Sequence, residues 1–90
     1  MTTIQTQLIA KLAVKKIEAT FNGEFLNCRT PVYSGTKTKW QRWSFVFESA
    51  GDCQGARQVG RTSGAYSESF ARDAFAIIVA HSAATAAIEL

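Results

Sequence analysis

From Gln41 to Ser49 the chain alternates without a break, with Trp43, Phe45 and Phe47 on one side and Arg42, Ser44, Val46 and Glu48 on the other. A period of two marks a strand with one dry face and one wet face. A lone strand can neither satisfy its backbone nor hide three aromatic rings. The rest of the chain must therefore supply neighbouring strands and a cover.

The cover is legible at both ends. From Ser67 onward there is no glycine or proline and much alanine, which predicts a long helix after a break at Ser63-Gly64-Ala65-Tyr66. Phe70, Ala71, Ala74, Ile77, Ile78, His81, Thr85 and Ile88 fall on one stripe of it, widened by Phe75 and Val79. Residues 3 to about 14 form a second amphipathic helix, with Thr3 able to cap it and Ile4, Leu8, Ile9 and Leu12 on its apolar side.

Between the helices the pattern favours strands. Asn22-Gly23 could end a helix running to Ala19, or could form a two-residue hairpin turn. The hairpin is preferred: it pairs Phe21 with Glu24, Ala19 with Leu26 and Ile17 with Cys28, so the apolar residues share one face. Residues 30–39, rich in Thr, Ser, Gly and Lys and holding the single proline, Pro31, read as a connecting loop. Ala50 to Gly55 reads as a turn. Ala56 to Thr62 returns as a short strand with Arg57, Val59 and Arg61 on one side. The expected fold is α+β: an N-terminal helix, a three- to four-stranded antiparallel sheet and a long C-terminal helix, with both helices on one sheet face.

Ninety residues suit a single domain, 1–90, with one modest core. An apolar fraction of 47% argues for a folded chain, and the longest apolar run, Ala74 to Ala80, is too short to span a bilayer. The opening residues lack the pattern of a signal peptide. Cys28 and Cys53 are too few for a disulfide scaffold and suggest reduced thiols, so a cytoplasmic location with no membrane association is expected.

Residues for chemistry are sparse. His81 is the single histidine and sits in the middle of the apolar stripe, which favours a packing role over catalysis or a Cys-His pair. The cysteines lack metal-ligand spacing, the seven carboxylates form no motif, and the glycines from Gly51 to Gly64 match no phosphate-binding loop. No enzyme activity, metal or cofactor is expected. Arg61-Thr62-Ser63-Gly64 leads into the last helix, where backbone amides favour an anion, although Glu68 in the first turn competes for that end.

Charge and aromatics point elsewhere. The net charge is +3, and between Arg29 and Phe47 there are four basic residues and no acidic one. Cations neutralise phosphates, and flat side chains stack on bases. A solvated hairpin with an aromatic inner face has the same composition. The first expectation is a non-enzymatic module binding nucleic acid or a nucleoprotein complex through Lys37, Lys39, Trp40, Arg42, Arg57 and Arg61. The alternative is a phage- or mobile-element-type inhibitor of a host protein, an anti-CRISPR-like role performed by blocking a surface.

The helix–strands–helix order resembles that of double-stranded-RNA-binding domains in topology and size. Those domains carry a lysine cluster at the start of the final helix. Here that stretch is Ser67-Glu68-Ser69-Phe70-Ala71-Arg72, with one basic residue, and the family is not assigned. A homodimer through the C-terminal helix is also expected. Its apolar residues cover more than one sheet face normally hides, and Ala76, Ala80, Ala83, Ala84 and Ala87 allow close approach. The alternative is a monomer in which the N-terminal helix covers Phe75 and Val79.

Overall fold

Helix α1 (Thr3–Val14) spans the residues its sequence suggests, but Thr2 rather than Thr3 is the cap. The Gln5 N–H donates to Thr2 Oγ1 at 3.1 Å, and the Thr2 N–H donates to Gln5 Oε1 at 2.9 Å. This reciprocal box satisfies two amides that would otherwise lack partners. Thr2 Oγ1 and Gln5 Nε2 also donate to the carbonyls of Gly51 and Ala50, at 2.6 and 3.1 Å, which anchors the helix start to a turn far along the chain. The computed structural model describes residues 1–60 and 65–88, with backbone alone for 65–67 and 88.

At its other end α1 stops in a Schellman motif. The Ile17 N–H donates to the Leu12 carbonyl at 3.1 Å and the Lys16 N–H to Ala13 at 2.9 Å. Lys16 takes the left-handed conformation, φ 62°, where glycine is usual. Ile17 and Leu12 are both buried, supplying the apolar contact that accompanies the motif.

Four strands follow: β1 (Glu18–Asn22), β2 (Phe25–Ser34), β3 (Lys37–Ser49) and β4 (Gln54–Val59). They form an antiparallel meander in the order β1-β2-β3-β4. The hairpin reading of residues 17–28 holds, but the turn sits at Gly23-Glu24, not Asn22-Gly23. Phe21 thus opposes Leu26 and Ala19 opposes Cys28. The shift keeps the apolar face intact and moves Glu24 off it into the turn. Gly23, at φ 60°, takes the left-handed position.

The expected loop at 30–39 is instead a continuation of β2 and β3. Their ladder runs unbroken from Phe25–Val46 to Ser34–Lys37 and closes through Gly35 (φ 63°) and Thr36. Pro31 is tolerated because β1 ends opposite Arg29, so its missing N–H can face an open edge. Strand β4 begins two residues before its expected start, at Gln54.

Helix α2 (Ala65–Ile88) likewise begins two residues earlier than expected. Its stripe of Ala71, Ala74, Ile78 and His81 is buried against the sheet, whose inner face offers Leu26, Cys28, Trp43, Phe45 and Phe47. Leu8 and Leu12 of α1 complete the same core. Each fully buried leucine contributes roughly 1.5–3 kcal/mol. Both helices therefore lie on one face of the sheet, as the alternation of β3 requires, and among the described residues no helix lies over the other face.

A polar layer ties the helices down. Lys11 Nζ donates to His81 Nδ1 at 2.9 Å, and His81 Nε2 donates to the Ile4 carbonyl at the same distance. An ammonium only donates and a carbonyl only accepts, so in this pair of contacts Nδ1 is the acceptor and Nε2 the donor. Gln54 of β4 joins α2 through Ser82 and Thr85.

Candidate nucleic-acid interface

The register orders the uncovered face into rows across the strands. Asn22, Phe25, Val46 and Arg57 form one row, and Thr20, Asn27, Ser44 and Val59 the next. Glu18, Arg29 and Arg42 follow, then Pro31 with Trp40, and finally Tyr33 with Thr38 at the end of the ribbon. The face thus mixes three arginines, three aromatics and short polar side chains.

At its centre is a prearranged cluster. The Arg29 guanidinium lies 4.1 Å from the centroid of the Trp40 ring, and its Nε donates to Glu18 Oε2 at 2.7 Å. Both members of the ion pair are about half exposed, so the pair itself adds little stability. Its effect is orientation, because it fixes a flat cation on a flat ring. Ser44 Oγ donates to Asn27 Oδ1 at 2.8 Å one row away. Tyr33 is 75% exposed and Phe25 40%, unusual for rings of that size. An open groove of about 990 Å³ reaches from this face toward α1, lined by Arg29, Tyr33, Trp40 and Arg42 and also by Ile9, Ala13 and Ile17.

Trp40, Arg42 and Arg57, anticipated from the sequence, share this face. Arg57 lies opposite Val46, four residues along β3 from Arg42, or roughly 13 Å. Lys37 and Lys39 are exposed near the ribbon tip, but strand alternation points them to the opposite side from Trp40 and Arg42. Arg61, and with it the anion site imagined at Arg61-Thr62-Ser63-Gly64, lies outside the described residues. Arg29, Glu18, Tyr33 and Phe25 were missed. The signal that could have found them is the Ser34-Gly35-Thr36-Lys37 turn, which would have extended the alternation back through Trp40 to Tyr33.

Elsewhere the side chains serve packing. Burial pushes the Cys28 thiol up to about 12, and burial followed by the neighbouring Asp52 carboxylate pushes Cys53 up to about 11. Neither is the low-pKa thiolate that nucleophilic or redox chemistry uses. Among the described residues no three His, Cys, Asp or Glu side chains gather as metal ligands, and no helix is long and apolar enough to cross a membrane. Comparison with protein families, curated proteins and solved structures gives no match.

Proposed function

We propose that this protein is a non-enzymatic nucleic-acid-binding module whose interface is the uncovered face of the sheet. The observation that carries the reading is the composition of that face: Arg29, Arg42 and Arg57 interleaved with Phe25, Tyr33 and Trp40. Of the acids on this face, Glu18 is paired with Arg29, and Glu48 stands at the far end, one same-face position beyond the Val46–Arg57 row. A sheet face left without a helix exposes flat rings and fixed cations together, which suits a polyanion carrying planar bases. Lys37 and Lys39 extend the basic surface around the tip of the two-stranded ribbon, where their long side chains can reach a backbone passing over it. Two unpaired core thiols suit a reducing compartment such as the cytoplasm.

Direct titration tests the proposal. Labelled mixed-sequence oligonucleotides in about 50 mM salt should give saturable binding by fluorescence anisotropy, weakening as salt is raised. Absence of binding to every oligonucleotide at low salt overturns the reading.

A further inference from the structure

We infer that the nucleic acid taken by this face is single-stranded, laid across the β2–β3 ribbon with bases stacked on Tyr33 and on the Trp40–Arg29 pair. This rests on the nucleic-acid reading and narrows it to one class of ligand.

The geometry of the ribbon carries the inference. Trp40 opposes Pro31, and Tyr33 opposes Thr38, so the two rings are diagonal neighbours on one face. Such positions stand roughly 7–8 Å apart, a separation close to one nucleotide step of an extended strand. Tyr33 is offered almost whole to solvent, 75% exposed, with no packing role to account for its size. Trp40 lies half-buried against the sheet, with the Arg29 guanidinium 4.1 Å from its centroid and tethered to Glu18. That guanidinium covers the indole and has already given up rotamer freedom, so stacking a base on its outer face costs less ordering.

A duplex cannot use these surfaces. Its base faces are occupied by its own stack, and rings lying on a sheet meet only its backbone or groove edges. Unpaired bases have free faces, and base–aromatic stacking is tolerant of sequence. Further along the same face Thr20, Asn27 and Ser44 offer short hydrogen-bonding groups at the height of the base edges, while Arg42 is placed for the backbone.

The experiment is a matched titration. Labelled 12-nucleotide single strands of DNA and RNA, and 12-base-pair duplexes of the same sequences, are titrated by anisotropy against the full chain and its Tyr33→Ala, Tyr33→Phe and Trp40→Ala variants. Single strands should bind at least tenfold more tightly than duplexes. Tyr33→Ala should weaken single-strand binding by about 5- to 100-fold, with the salt slope unchanged, because stacking releases no counterions. Tyr33→Phe, which keeps the ring, should bind like the parent. Tyr33 is far from the core, so thermal melting of its variants should match the parent. Duplexes bound as tightly as single strands, or a Tyr33→Ala variant that binds single strands normally, overturn the single-strand inference and leave the nucleic-acid reading standing. Failure of every oligonucleotide to bind overturns both.

Discussion

Phe45 occupies the middle of β3, between Leu26 and Gln58 in register, and its ring centroid lies 6.0 Å from that of Phe75. It is fully buried. Phe45→Ala should cost about 3–5 kcal/mol, enough to unfold most of the population of a domain this size. A cooperative urea transition at the parent midpoint would show that the strand does not bury this face. Lys16 offers a test of opposite sign. Its left-handed backbone is strained for a side chain and natural for glycine, so Lys16→Gly should raise stability by about 0.5–1 kcal/mol. A lower melting temperature would contradict the Schellman assignment.

The cysteines add a pH dependence whose sign follows from burial. Folded values of about 12 and about 11, against the ordinary 9.0, keep both thiols protonated while the unfolded chain ionises above pH 9. Their contribution to stability is complete below pH 9 and is lost as pH rises toward 11 to 12. The urea midpoint should therefore fall between pH 8 and pH 10, and a Cys28→Ala/Cys53→Ala variant should fall less. At pH 8 a thiol reagent should label both cysteines only as fast as the chain unfolds. Immediate labelling of the native protein contradicts the buried placement.

At the scale of elements, legibility followed the contrast between faces. Trp43, Phe45 and Phe47 could be placed because one side of β3 is dry and the other wet, and the α2 stripe for the same reason. Residues 32–39 pass beyond the helices, so both sides of the ribbon meet water and no apolar alternation marks it. The proline then reinforced a loop reading that only the open edge at Pro31 makes wrong. Parity survived where register did not: moving the β1–β2 turn by one residue changed every partner and left the apolar face unchanged.

Helix α2 carries the remaining exposed apolar surface. Phe75 and Val79 are 39% and 49% exposed, so part of each is left to solvent. Ala76, Ala80, Ala83, Ala84 and Ala87 beside them are exposed too and bear no charge. Pairing of two such faces buries apolar area, with Arg72 the charge at the N-terminal end of the stripe, and a small domain gains proportionally from it. Light scattering should show a mass above that of one chain, 9.8 kDa, as concentration rises, and Val79→Glu should restore the single-chain mass. A constant 9.8 kDa across micromolar and higher concentrations would rule the dimer out.

At the scale of the whole molecule, the two-layer arrangement decides what can be an interface. Helices on one side of a four-stranded meander complete the core and leave the other side to water, an outcome implied by the alternation of β3 alone. The candidate site was legible only in part. Trp40, Arg42 and Arg57 followed from their composition and parity, whereas Arg29 and Tyr33 depend on a cross-strand register that emerges only once Ser34-Gly35-Thr36-Lys37 is read as a turn. Lys37 and Lys39 were grouped with them by proximity in sequence, and alternation separates them in space.

The central claim, that this open face engages phosphates, is tested most directly by the salt dependence of affinity. Log affinity against log salt should be measured by anisotropy for the parent, for an Arg29→Gln/Arg42→Gln/Arg57→Gln variant and for Arg72→Gln, which removes an exposed charge from α2. The triple variant should retain its fold and lose roughly 2–3 units of slope, nearly one per lost contact, while Arg72→Gln leaves the slope unchanged. An unaltered slope in the triple variant, or a comparable loss from Arg72→Gln, would contradict the assignment of this face.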